Sequence, residues 1–479
     1  MAKFVFDVGQ KGEKRSAVRK RHREVEDGFN ASRPLEAASD NEHAMQFPVV
    51  HKNALAGAMG TSFGLQLRRL RVSSARFGAA IPFLADAGTG VEGARLGKNL
   101  TGGDWFHFDP WTAYQKGWVT GTSIVQIGGV GSGKSTTSKA ACRRLIAQGR
   151  KIAVPSDPKG EWARVAETVP RHQVLELGLE GNRINPLEEG VKPASMDARE
   201  WASEVHSRRQ QLLIAIISVM NSGRPMEPQQ YTALDVALKR VVETGQVPTI
   251  RALIEKLRNP SEVDKHDVGT AGEALAHSLN RAVSGDLAGM FDQESTVKFD
   301  RDTQMIVIST RTLLNKPQNV RAVASACTSF WVDSVVRDEN SGYWVIVSEE
   351  GWSEMRDPRA VELLDERQRL AGEFGLANWL IMHEITDLDM VGTADSPQRA
   401  QALGLLSKAQ IKIVHKQSET AIGPTQAALR LSEREVETVL RLRQGQALWK
   451  VGDRAMVVET LITRPEWEVF NTSSKRAGV

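Results

Sequence analysis

From Thr122 onward, short apolar runs alternate with stretches whose apolar positions recur at helical spacing. That alternation is the mark of a parallel sheet covered by helices on both faces. Core strands are expected near residues 123–127, 151–155, 305–309, 343–348, 378–382 and 410–414. The long interval between the second and third of these lacks strand alternation and carries helical periodicity near 198–220, 228–243, 249–257 and 272–288. A structureless loop of that length is improbable in a compact domain, so the interval reads as an inserted all-α subdomain. Toward the end of the chain, Ser432 and Glu435 form a capping box ahead of Val436, Val439 and Leu440, and Gly445 closes that helix. Two strand-like runs, 447–451 and 455–462, then flank a Gly452-Asp453-Arg454 turn suited to a hairpin. Nothing repeats at a fixed period, which excludes a solenoid.

The first part of the chain reads differently. Residues 11–23 (KGEKRSAVRKRHR) are dominated by Lys and Arg, and polar sequence continues to about His43 without an apolar period. This describes a charged, solvated tail over 1–45, with a phosphate-rich partner or acidic lipid as the other reading. A small N-terminal region over 46–105 follows, with a basic stripe at Arg68, Arg69 and Arg71.

Composition narrows the class rather than the function. A chain of 479 residues exceeds what one hydrophobic core organises, and 41% hydrophobic with 25% charged residues is ordinary for a globular protein. A net charge of +4 makes no global field for nucleic acid, so any such surface has to be a local patch. Cys142 and Cys327 lack metal-ligand spacing and fit a reducing compartment. No secretory signal is expected, and the longest apolar run, 212–220, falls short of the roughly 18 residues that span a bilayer. A cytoplasmic protein, at most peripheral at the inner face of the membrane, is the expectation.

The chemistry begins at Gly128-Gly129-Val130-Gly131-Ser132-Gly133-Lys134-Ser135, a complete G-x-x-x-x-G-K-[ST] motif between a β-like run and a helix that Gly149 ends. Glycines let the backbone curl so that successive N–H groups face phosphate oxygens, and the helix N-terminus adds positive potential. Residues 128–135 with Thr136 are therefore expected to bind ATP, Lys134 reaching the β and γ phosphates and Ser135 holding Mg2+. Hydrolysis needs acidic groups at the end of a neighbouring strand. Val345-Ile346-Val347-Ser348-Glu349-Glu350 supplies them: Glu349 for the magnesium shell and Glu350 for the attacking water, with Ser348 and Glu349 as the pair in a register one residue earlier.

Other polar groups stand at strand ends, where open α/β sheets place their ligands. Asp157, in Asp157-Pro158-Lys159-Gly160-Glu161, is either part of the active-site rim or ordinary turn chemistry. His383, Gln417 and Asp157 are the candidates for a γ-phosphate sensor. Arg311, Arg441 and Arg443 are candidates for an arginine finger reaching a neighbouring subunit's nucleotide.

Together the GGVGSGKST loop, SDPKGEW from Ser156, Ile184-Asn185-Pro186-Leu187, Glu349-Glu350-Gly351-Trp352, MHEITDL from Met382 and the closing LSEREVETVLRLRQGQALWKVGDRAMVV resemble the type IV secretion and conjugation ATPases of the TraC/VirB kind, within the HerA–FtsK superfamily and especially in its actinobacterial forms. The resemblance spans roughly 106–472. It implies a RecA-like P-loop core in two parts, 106–187 and 301–479, around a helical insertion at 188–300, and a homo-oligomeric ring, usually a hexamer, at the cytoplasmic base of a membrane-embedded secretion or conjugation complex. DNA or a protein–DNA substrate is a further implied partner.

Two features depart from that pattern. Glu349 stands where the family has Asp, one methylene longer, and the N-terminal region is short. The implied function is an ATP-hydrolysing motor energising conjugative transfer or secretion. A DNA-pumping translocase on the same core and a weakly hydrolysing nucleotide-binding scaffold are the competing readings.

Overall fold

The computed structural model describes residues 92–178, 182–221, 223–337, 341–349, 374–390 and 396–471, with single positions at 365, 368 and 371. The expected tail over 1–45, most of the region to 105, and Glu350, Gly351 and Trp352 lie outside the described residues. All described residues belong to one compact unit.

Eleven strands make up one sheet: β1 (Ala94–Asn99), β2 (Trp105–Phe108), β3 (Ile124–Ile127), β4 (Lys151–Asp157), β5 (His172–Glu176), β6 (Met305–Ser309), β7 (Trp344–Glu349), β8 (Leu376–Met382), β9 (Ile411–His415), β10 (Gln446–Val451) and β11 (Arg454–Thr460). Their order across it is β2-β1-β11-β10-β9-β3-β8-β7-β4-β6-β5. From β9 to β5 every pairing is parallel, whereas β10, β11, β1 and β2 continue the sheet antiparallel. The fold is thus α/β with a mostly parallel sheet, as the alternation of apolar runs and helical stretches predicts.

Central strands are apolar on both sides because both sides are covered. Alternate residues divide cleanly: Ile152, Val154, Met305, Val307, Val345 and Val347 enter one core, and Ala153, Ile306, Ile308, Trp344 and Ile346 enter the other. Among the described residues, the early part of the chain carries α1 (Pro110–Gln115), α2 (Lys134–Ala147) and α3 (Glu161–Ala166). Helix α2 covers the first core through Ala140, Ala141, Cys142 and Leu145, and α3 through Trp162 and Val165. Burial pushes the Cys142 thiol far above its ordinary pKa, so it packs as a small hydrophobe.

The second core joins the sheet to the inserted helices α4 (Ala198–Met220), α5 (Pro228–Glu243), α6 (Ile250–Arg258) and α7 (Lys265–Val283). A capping box between Asp197 and Glu200 starts α4, and Leu212, Leu238, Leu253 and Leu275 meet in the insertion, each fully buried. Helix α7 begins seven residues before the expected start, with a break at Gly269 (φ 35°, ψ −139°) that interrupts its period.

Several elements escaped the sequence pattern. Strand β5 lies at the sheet edge with one buried position, so it has little apolar signature. The pair β1 and β2 is tied to the sheet only through β11. Helix α8 (Gln318–Val336) is buried around most of its circumference, leaving no polar face to mark a helical period.

Past β8 come α9 (Pro397–Lys408), α10 (Glu419–Leu429), α11 (Glu433–Arg441) and α12 (Arg464–Phe470). The Ser432–Glu435 capping box starts α11, and β10 and β11 pair as the expected hairpin. Among the described residues, no helix is long and apolar enough to cross a membrane.

Candidate nucleotide-binding site

Strand β3 ends at Ile127 and α2 begins at Lys134, with the glycine-rich loop between them at the carboxyl edge of the parallel sheet. The loop depends on its glycines at two points. At Gly128 a Cβ would lie 2.5 Å from His415 Cβ and 2.7 Å from Ser132 Oγ, because β9 runs alongside β3 in the sheet. Gly133 caps α2 in the left-handed region (φ 102°), where a Cβ would meet Gly445 N at 2.9 Å. No side chain caps α2, so its first-turn N–H groups remain directed at the loop's hollow. Val130, in the loop, is 71% exposed, so its side chain is not part of the core.

Lys134 is buried. Its ammonium donates to the carbonyl of Gly128, to Gly129 O at 3.1 Å and to His383 Nδ1 at 3.1 Å. An ammonium has only donors, so Nδ1 must be the acceptor and the His383 ring carries its proton on Nε2. His383 follows β8, and β8 stands between β3 and β7.

That intervening strand corrects one expectation: the acidic strand is the next but one to the P-loop strand, not its neighbour. Two strand spacings separate them, about 9.6 Å in all. The side chains still meet. Ser135 Oγ donates to Glu349 Oε1 at 3.2 Å, and Trp162 Nε1 donates to Glu349 Oε2 at 2.8 Å. Burial raises the Glu349 carboxyl above the ordinary carboxylate value. Lys139 opposes the rise, Glu161 adds to it, and Lys159 and the Trp162 indole oppose it. The Glu350 assignment lies outside the described residues.

Asp157 ends β4 fully buried, and its oxygens accept from three backbone amides: Glu161 N at 3.0 Å, Trp162 N at 2.9 Å and Ala163 N at 2.9 Å. Burial raises its pKa and these amides oppose the rise. Of the two readings of this turn, the geometry displays the turn-building one. The same turn brings Glu161 onto Lys139, a fully buried lysine of α2.

Gln417 lies just past β9, 3% exposed, and neither of its amide atoms has a hydrogen-bond partner among the described residues. Its segment adjoins the loop, since Gly129 N donates to Lys416 O at 3.2 Å. A buried amide without partners costs free energy, and a phosphate oxygen would satisfy its N–H groups. The Ser132 hydroxyl is buried and partnerless in the same loop. These orphaned groups and the open α2 N-terminus fit a triphosphate. Ser135 and Glu349 fit a hard divalent cation, which takes oxygen ligands.

The arginine candidates are dispersed. The Arg311 side chain packs over Gly160, on the turn after β4. Arg443 is exposed on the loop before β10, and that loop is bonded to the P-loop of the same chain through Gly445 N and Ser132 O at 3.1 Å. Arg441 is exposed on α11, 3.8 Å from Glu437.

Sequence reasoning missed the polar layer under the loop. Gln126, fully buried in the middle of β3, donates to Lys134 O at 3.0 Å and to His415 Nε2 at 2.9 Å, and accepts from Trp379 Nε1 at 3.0 Å. A glutamine interrupting the apolar run IVQI was the available signal. The His415 pKa falls to about 3, through burial and then the Lys134 charge, against opposing backbone groups of Ser132 and Gln446. Its ring is therefore neutral and able to accept from Gln126.

No protein-family model matches the sequence, and no curated protein matches it. The fold is similar to VirB4 of Thermoanaerobacter pseudethanolicus, with TM-score 0.64 and 20% identity over 80% of this chain and 98% of that one. It is also similar to the plasmid coupling protein TrwB in complex with the ATP analogue ADPNP, with TM-score 0.53 and 14% identity over 83% of this chain and 95% of that one. For TrwB in complex with ADP and Mg2+ the values are 0.51 and 15%, over 72% and 86%. The chain has the RecA-like P-loop ATPase fold of these proteins.

Proposed function

We propose that this chain is an ATP-hydrolysing motor subunit that energises conjugative transfer or type IV secretion. The observation that carries the reading is Glu349, whose carboxylate crosses an intervening strand to reach Ser135 Oγ at 3.2 Å. A P-loop alone binds phosphate; an acidic group set against its Ser/Thr makes a site for hydrolysis. Lys134 and the α2 N-terminus hold the phosphates, and Ser135 and Glu349 hold the magnesium. When bound, that ion neutralises charge growing on the β and γ oxygens. Glu350, next in sequence, is assigned the attacking water, while His383 and Gln417 read the γ-phosphate position. The resemblance to conjugation ATPases and the likeness to VirB4 and a plasmid coupling protein support the transport role. They also support assembly as a ring, a hexamer in this reading, peripheral to a membrane complex, with an arginine supplied between subunits.

Magnesium-dependent phosphate release by the purified chain tests the enzymatic part. Lys134→Ala should lower turnover by about a hundredfold or more. Parent and variant turning over equally would remove the reading, and a parent that binds nucleotide without turnover would make the chain a scaffold. Adding single- and double-stranded DNA tests the transport part: stimulation by DNA alone, with none from secretion-complex components, would make it a DNA pump.

A further inference from the structure

The turn after β4 contributes to the site in a way its sequence does not announce. Trp162 is fully buried, and a buried indole N–H needs an acceptor. That acceptor is Glu349 Oε2, 2.8 Å away and 187 residues distant in the chain. The other oxygen of the same carboxylate lies 3.2 Å from Ser135 Oγ. The indole itself is held firmly, because its backbone N–H is bonded to Asp157 and the preceding Glu161 pairs with buried Lys139 on the P-loop helix.

A glutamate has one more rotatable bond than an aspartate, and each loose torsion spreads the positions its oxygens visit. An anchor on one oxygen removes that spread and aims the other. We infer that Trp162 is a positioning residue: its indole N–H fixes the Glu349 carboxylate against Ser135, so that a glutamate serves at this strand end as the divalent-cation ligand accompanying a nucleoside triphosphate. The inference rests on the nucleotide-binding reading above. It accounts for Glu349 in place of Asp, since the longer side chain reaches Ser135 and the indole together.

The test uses the full chain with a fluorescent ADP analogue, titrated with Mg2+. Two variants remove the N–H: Trp162→Phe, and Trp162 replaced by benzothienylalanine, which keeps the ring shape and carries the test should the phenylalanine variant misfold. Affinity without Mg2+ should stay within about twofold of the parent, while the Mg2+ needed for half-maximal tightening should rise about tenfold, the effect of one lost bond to a charged group. In a Glu349→Gln background the same substitution should change that Mg2+ requirement by less than about twofold. Parent-like Mg2+ titration in both variants, or a tenfold change that persists in the Glu349→Gln background, would overturn the positioning role. A parent that binds the nucleotide normally while the variants show no Mg2+ effect sinks this inference alone. A parent that binds no nucleotide sinks the site assignment and this inference with it.

Discussion

Replacing Gln126 with leucine tests the polar layer beneath the P-loop. The substitution keeps the side chain's approximate volume and removes its hydrogen bonds. Two buried groups then lose their partners, the Trp379 indole N–H and His415 Nε2, while Lys134 O still accepts from Ser138 Oγ at 3.2 Å. At about 1–3 kcal/mol for each unsatisfied buried group, the loss is about 2–6 kcal/mol, and new apolar burial returns about 1 kcal/mol. A net destabilisation of about 1–5 kcal/mol is a large share of the roughly 5–15 kcal/mol that holds a domain together. Urea unfolding followed by tryptophan fluorescence reports the shift in midpoint, because Trp379 itself lies in the network. Gln126 also holds the carbonyl of Lys134, so binding of a fluorescent ADP analogue should weaken in the folded variant. An unchanged midpoint with unchanged affinity would refute the claim that this layer supports the loop.

Two further predictions address the same region. His415 has a folded pKa of about 3 against the ordinary 6.5, so between those values the unfolded chain takes up a proton that the folded chain refuses. This part of the stability is complete above pH 6.5 and is lost as pH falls toward 3, at up to about 1.4 kcal/mol per pH unit. His415→Gln should flatten the fall in unfolding midpoint between about pH 7 and pH 5, and parallel profiles for parent and variant would contradict it. Gly133→Ala places a Cβ 2.9 Å from Gly445 N at a left-handed φ of 102°. Calorimetric titration should show nucleotide affinity down by about tenfold or more with the melting profile largely retained, given about 1–2 kcal/mol for the backbone alone; parent-like binding would mean that the loop tolerates the strain.

The residues that contiguous sequence could identify are those whose role is local. The loop from Gly128 to Ser135 needs only its own glycines and the helix that follows, the Ser432–Glu435 box spans one turn, and the central strands announce themselves as apolar runs. For the same reason the inserted helices show their periodicity, while the largely buried α8 and edge strand β5 show little of theirs. Asp157 reads equally as rim or turn in the sequence, and in the fold three backbone amides converge on it.

Tertiary structure decided the rest, because the remaining contacts join positions that no local pattern relates. Ser135 and Glu349 are 214 residues apart, Trp162 and Glu349 187, and Gln126 and His415 289. Each pair meets only because of the strand order, in which a single strand separates the P-loop strand from the acidic strand, β4 lies beside the acidic strand, and β9 flanks the P-loop strand on its other side. Strand order is set by how helices and strands pack over the whole sheet, a long-range choice among arrangements with similar local patterns. Sequence alone therefore determined that a glycine-rich loop opens a helix here; packing across the sheet determined which carboxylate, indole and amide stand near it.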